Sequence, residues 1–149
     1  MNAVAAAGAG FLVAVLWFDL MFDVQTRGHG GDRLPGEVLA SISAYYRRVT
    51  TEAGPMSRLI PAVMAMTVLT IVAEIVKRSD AWWMAWASLA LSTSAIGLAM
   101  VRTVRNAVRL GRAVDPDETQ TQLARTIYRD HLFCLTAMAI VVALQLAVR

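Results

Sequence analysis

From Ala81 to Val101 the chain reads AWWMAWASLALSTSAIGLAMV, a run with no charged residue. A helix needs about 20 mostly apolar residues to cross the hydrocarbon core of a bilayer, so this stretch is long enough to span one. Arg102 follows at once. Arg102, Arg105, Arg109 and Arg112 step by three, four and three, which places them in one stripe on a helix continuing beyond the membrane.

Working outward, three further segments meet the same criterion. Met1 to Phe18 and Leu132 to Val148 carry no charged residue, and Leu59 to Val76 carries one, Glu74. The 149-residue chain is 57% hydrophobic, above the share usual for soluble domains. The first segment lacks a basic n-region, and its apolar character runs on to Phe22, so it reads as a mature helix and not as a cleaved signal peptide. The expected fold is all-α, an integral membrane four-helix bundle forming a single membrane domain over residues 1–149. The spans fall at about 3–23, 57–77, 81–110 (with a cytoplasmic extension) and 127–148.

Charge sets the expected orientation. Eleven of the fourteen Lys and Arg residues lie between the first and second or between the third and fourth apolar segments: Arg27, Arg33, Arg47, Arg48, Arg58, Arg102, Arg105, Arg109, Arg112, Arg125 and Arg129. Cytoplasmic loops carry an excess of Lys and Arg, so both arginine-rich loops are expected in the cytoplasm and both termini outside it. The short second loop, Lys77 to Asp80, then faces outward, and Trp82, Trp83 and Trp86 follow it where an interfacial aromatic belt belongs. The pI near 9.6 is explained by membrane topology, so no nucleic-acid partner is expected. Membrane lipids are the expected partners, with a homo-oligomer or larger membrane complex as a further possibility. The single cysteine, Cys134, excludes an intrachain disulfide.

The first loop is Gly-rich from Arg27 to Gly36 and then changes character. Val38, Leu39, Ile42, Tyr45, Tyr46 and Val49 recur at helical spacing, which predicts an amphipathic cytoplasmic helix over about 37–52, anchored at the interface by its two tyrosines. Gly54-Pro55 is expected to end it, with span two starting near Ser57 and Pro61 in its first turn. Gly111 and Asp115-Pro116-Asp117 break the helix carrying the arginine stripe, and Asp115 or Asp117 caps a new helix leading into span four. The Ala/Gly start, Ala3 to Gly10, suits either close helix approach or simple helix formation.

The candidate chemistry gathers at the arginine-rich end. Asp19 and Asp23 lie four apart at the end of helix one and face the same way. A carboxylate at membrane depth turns inward, so Asp19 is read as a general base, a proton acceptor, a metal ligand, or one half of a salt bridge to the arginine stripe. Arg102, Arg105 and Asn106 offer a cationic cradle for an anion, or answer topology and lipid headgroups. His131 is suited to relay a proton or to serve as a structural hydrogen-bonding group, whereas His29 in the glycine-rich loop is read as solvated. His131 and Cys134 lie three apart but find no further soft ligands, and only one histidine lies at membrane depth for haem, so no metal or other cofactor is expected. Glu74, three residues before Lys77, reads either as an ion-coupling group or, preferably, as an exposed helical pair with that lysine.

Two segments, Arg102-Thr103-Val104-Arg105-Asn106 and Tyr128-Arg129-Asp130-His131, resemble the exit from helix three and the start of helix four in small four-helix bacterial membrane proteins with an anthrone-oxygenase-like domain. The Trp usual before that histidine is replaced here by Ile127-Tyr128. The resemblance implies a bacterial plasma-membrane location and a cofactor-free, oxygenase-like pocket for a lipophilic aromatic. The leading functional expectation is an enzyme or binding protein for a lipophilic small molecule, with a polar pocket at the cytoplasmic mouth. In it Asp19 acts as base, His131 as relay, and Arg102, Arg105 and Asn106 as anion stabilisers. A non-catalytic accessory or assembly subunit, or a small oligomeric transporter or channel coupled through Asp19 or Glu74, are the other classes compatible with the sequence.

Overall fold

The small residues near the start of α1 (Asn2–Asp23) let a second helix approach closely. In a computed structural model, which describes residues 2–52, 54–77 and 82–147, this face packs on α3 (Gly54–Val76). A β-carbon added at Gly8 would lie 2.3 Å from Thr67 Oγ1, and Thr67 is fully buried with its hydroxyl donating to the Val63 carbonyl at 2.8 Å. The other helices are α2 (Gly36–Arg47), α4 (Trp82–Leu98), α5 (Val104–Arg112) and α6 (Asp117–Ala147). The chain is about 90% helical, with no strand among the described residues.

Four helical stretches are long and apolar enough to cross a membrane: Asn2–Thr26, Ser57–Val76, Trp82–Arg112 and Asp117–Ala147. α1 packs on α3 and α6, and α4 packs on the same two, while α1–α4 and α3–α6 make no close backbone approach among the described residues. Ala5, Ala9, Leu12, Ile71, Ala95, Cys134, Ala137, Met138 and Val141 form the buried core between them. Only 17–39% of each apolar window is buried inside the protein. Trp17, Phe18, Leu69, Met100, Val101, Phe133 and Ile140 remain exposed, an apolar outer surface that suits hydrocarbon as its solvent.

A second core lies beyond one end of these helices. Leu34, Leu39, Ile42 and Tyr46 pack against Ala107 and Leu110 of α5 and Leu123, Ala124 and Ile127 of α6. The stripe Leu39, Ile42 and Tyr46 follows the helical period, but protein covers it where an interfacial lipid contact was expected. Tyr46 is therefore no interfacial anchor; it is 2% exposed. The preceding loop is pinned to α6: Leu34 N donates to Thr121 Oγ1 at 3.0 Å, Arg125 donates to the His29 and Gly31 carbonyls at 2.6 Å each, and Arg33 pairs with Glu118.

Several boundaries differ from the sequence expectation. Gly54-Pro55 begins α3, so Pro61 lies inside the helix, not in its first turn. Gly111 does not break α5. It sits within it, and an added β-carbon would lie 2.7 Å from Arg47 N and 3.0 Å from Tyr46 C, so its missing side chain is what lets α2 and α5 touch. The chain turns at Ala113, in the left-handed conformation at φ 51°, and Arg109 bonds Asp115 at 2.7 and 2.8 Å across that turn. That hydrogen bond holds the Asp115 carboxyl below its ordinary range. Glu74, expected as an exposed residue, is buried. Arg78, Ser79 and Asp80 of the second loop, together with Ala81, lie outside the described residues, as do Met1, Ala53, Val148 and Arg149.

Two substitutions test the close approaches. Gly8→Ala is expected to lower stability by about 1–3 kcal/mol through overpacking against Thr67, with Thr67→Ala in the same chain restoring most of the loss. Thermal unfolding in lipid nanodiscs checks this, and an unchanged melting temperature for Gly8→Ala would refute the close crossing. Gly111→Ala meets backbone, which cannot rotate away, so its loss of about 1–3 kcal/mol or more should resist rescue by truncating the Arg47 side chain.

Candidate functional site

At the end where α2 packs, three helices converge on one buried carboxylate. Asp23, the last residue of α1, is 0% exposed. Tyr46 of α2 donates its hydroxyl to Asp23 Oδ1 at 2.6 Å, and His131 Nδ1 lies 2.7 Å from Asp23 Oδ2. An ionised carboxylate can only accept, so Nδ1 carries the proton and His131 is the donor. Tyr46 Oη also lies 3.5 Å from Nδ1. Thr26, in a short 3₁₀ turn, closes the end of α1 by donating to the Asp23 carbonyl at 2.8 Å.

A second, more open layer lies beside this one. One turn earlier on α1, Asp19 accepts a hydrogen bond from Tyr45 at 2.6 Å, and its Oδ2 is 3.8 Å from His131 Nε2. The Asp19 side chain is 17% exposed, against 9% for His131 and 0% for Asp23. Phe22 stacks flat on Tyr45 with centroids 4.0 Å apart, and Tyr45 meets Tyr46 edge-on at 5.3 Å. Burial, reinforced by the neighbouring Asp19, pushes the Tyr45 phenol above its ordinary range; burial and Asp23 do the same for Tyr46. Both phenols remain protonated donors at neutral pH.

The structure therefore brings Asp19 and His131 together and adds Asp23, Tyr45 and Tyr46. It places the three remaining candidates elsewhere. Arg102 does not reach Asp19. Its Nε donates to Asp130 Oδ2 at 3.0 Å, its Nη2 bonds the other oxygen, and Thr103 Oγ1 donates to Oδ2 at 3.0 Å. Asp130 is 2% exposed, so this pairing satisfies a second buried carboxylate and joins α6 to the stretch between α4 and α5. That stretch, Ala99–Thr103, is a single π-helical turn, which shifts the angular register and presents Arg102 and Thr103 together to Asp130. Arg105 is exposed and Asn106 half-buried on α5, outside the cluster. The expected salt bridge from Asp19 to the arginine stripe is replaced by the Tyr45 hydrogen bond and the nearby imidazole.

Cys134, one turn beyond His131, is buried with its thiol 3.5 Å from the Ala95 carbonyl. Among the described residues no group of three or more His, Cys, Asp or Glu side chains is arranged to hold a metal ion. An open apolar groove lined by Val4, Ala62, Met66, Leu69 and Ala73 lies between α1 and α3, nearer their other ends and apart from this cluster. A buried tyrosine hydroxyl needs a polar partner, so Tyr46 in register with Leu39 and Ile42 was the signal that could have linked α2 to the carboxylates.

Fold and site together define a helical protein with four candidate membrane spans and a carboxylate–histidine–tyrosine cluster at one end. No family model, curated protein or solved structure matches the chain.

The two tyrosines are expected to separate in mutation. Tyr46→Phe leaves Asp23 Oδ1 buried without one of its donors and should cost about 1–3 kcal/mol. Tyr45→Phe should cost less, because Asp19 is partly open to other donors. Paired unfolding measurements on the two variants check the order, and equal losses would refute the layered arrangement.

Proposed function

We propose that the chain is a four-spanning membrane bundle with an amphipathic helix on its arginine-rich, cytoplasmic side, in the plasma membrane of a bacterium. Its Asp19–His131 face binds a lipophilic small molecule and moves a proton on it. The observation that carries this reading is the orientation of His131: Nδ1 is held by the fully buried Asp23, which leaves Nε2 directed at the partly exposed Asp19, 3.8 Å away. An imidazole whose Nδ1–H is fixed by a carboxylate is set in the tautomer that accepts a proton at Nε2.

In that tautomer Nε2 is an acceptor and can take the hydrogen of a ligand hydroxyl at an ordinary hydrogen-bond length of about 2.8 Å. In the proposed step the ligand's hydroxyl gives its proton to His131 Nε2, with Asp19 Oδ2 3.8 Å from that nitrogen. The resulting imidazolium is stabilised by Asp23 on one side and Asp19 on the other. Tyr45 orients Asp19 from outside. Exposed Trp17, Phe18 and Met21 on the same helix suit a ligand arriving from the bilayer and not from bulk water. Arg102, committed to Asp130, positions α6 in this scheme, while Arg105 and Asn106 have no direct role.

The test is extraction of protein purified in native lipid nanodiscs, followed by mass spectrometry of the bound small molecules. Wild type should carry a lipophilic compound with an ionisable hydroxyl. Asp19→Asn and His131→Gln, checked for intact helicity, should each lose it at least tenfold, a difference of about 1.4 kcal/mol. Recovery of the same bulk phospholipid from all three proteins overturns the reading. Stoichiometric co-purifying proteins with no such compound would point to an accessory subunit instead.

A further inference from the structure

A second polar group lies buried toward the other end of the bundle, apart from the Asp19–His131 cluster. Glu74 of α3 is 7% exposed, Gln145 of α6 is 1% exposed and Ser88 of α4 is fully buried. The Gln145 side chain lies beside the Glu74 carboxyl, and its Nε2 donates to Ser88 Oγ at 3.2 Å. Two oxygens are left over. Glu74 Oε1 and Gln145 Oε1 are both buried, both acceptors, and neither has a hydrogen-bond donor among the described residues. His131 and Gln145 are fourteen residues apart on α6, so this group lies about 21 Å along the helix from the first.

A carboxylate does not suit this environment. Ionised Glu74 would place a full charge at membrane depth, beside an amide carbonyl that also lacks a donor, and each unpaired buried acceptor carries its own desolvation cost. A single proton removes both defects. Placed on Glu74 Oε1 it can be donated to Gln145 Oε1, while the second hydrogen of Gln145 Nε2, the one not given to Ser88, can serve the other carboxyl oxygen, closing a cyclic acid–amide pair. We propose that Glu74, Gln145 and Ser88 form a proton-binding site in which neutral Glu74 bridges α3 to α6, two helices whose backbones do not otherwise approach each other.

The surrounding charges are few. α1 carries no charged side chain before Asp19, α4 carries none, and α6 carries none between His131 and Ala147. Lys77 follows three residues on, just past the end of α3; the amino terminus, Arg78, Asp80 and Arg149 lie outside the described residues. Loss of the proton places a carboxylate against the Gln145 carbonyl and removes the bridge. The site therefore acts as a pH-sensitive lock between α3 and α6.

Infrared difference spectroscopy on the full chain in nanodiscs tests the proposal. The wild-type minus Glu74→Gln spectrum at neutral pH should contain a protonated-carboxyl C=O band, which Gln145→Leu shifts to higher frequency by removing its acceptor. Glu74→Gln, which keeps the shape of the neutral acid, should also abolish the loss of thermal stability that wild type shows on going from neutral to alkaline pH. A difference spectrum with carboxylate bands alone overturns the proposal. If Glu74→Gln fails to fold, the Gln145→Leu band shift decides it: no shifted acid band in that variant overturns the site equally.

Discussion

The constraint on which one end of the molecule depends is the burial of the Asp23 carboxylate. A charge with no exposure is tolerable only when both oxygens are satisfied, and neither can be satisfied from within α1. One donor comes from α2 and the other from α6. Helices distant in sequence are thus fixed relative to each other at atomic tolerance. The same demand explains Gly111, because Tyr46 reaches Asp23 only if α2 lies close against α5, and any side chain at that position would meet the backbone of Arg47. Asp130, Arg102 and Thr103 repeat the device on the other face of α6.

Much of the helical scaffold was legible because a bilayer imposes its demands on composition. Four uncharged or nearly uncharged runs, each bounded by arginine, carboxylate or Gly/Pro clusters, correspond to the four long apolar helices. The continuation of the third apolar run through the arginine stripe, and the new start near Asp117, also followed from helical period and capping chemistry. Boundaries set by one residue's backbone were less legible. Ala113 takes the left-handed turn that glycine would ordinarily supply, while Gly111, two residues earlier, serves packing. Nothing in a single sequence separates a glycine needed for conformation from one needed for close approach.

The candidate site was legible in part, for a related reason. Asp19 and His131 stood out as ionisable groups at membrane depth, and they do converge. Sequence spacing carries no information on which of several like-depth partners a carboxylate meets, and the arginine stripe was the conspicuous choice. Arginine is long and can reach outward, so Arg102 meets Asp130 while half exposed. The inner positions go to the compact donors Tyr45, Tyr46 and His131, whose rings also fill apolar volume. The tyrosines' amphipathic register was visible, but the surface that covers it was protein and not lipid.

The difference between the two polar groups follows from solvent access. At the α2 end the long helices are extended by a second apolar core, which supplies tyrosine hydroxyls beside the His131 imidazole, so carboxylates there can be buried with their charge satisfied. Toward the other end the described residues of α4 and α6 supply Glu74 with an amide and, through it, a serine hydroxyl, and α1 before Asp19, α4, and α6 between His131 and Ala147 carry no basic side chain. Two buried carboxyl groups thus meet opposite chemistry: Asp23 has donors for both of its oxygens, whereas Glu74 Oε1 has none among the described residues. A site equipped to hold charge and a site equipped to hold a neutral acid are the two ways in which a membrane protein can keep a carboxyl group out of water.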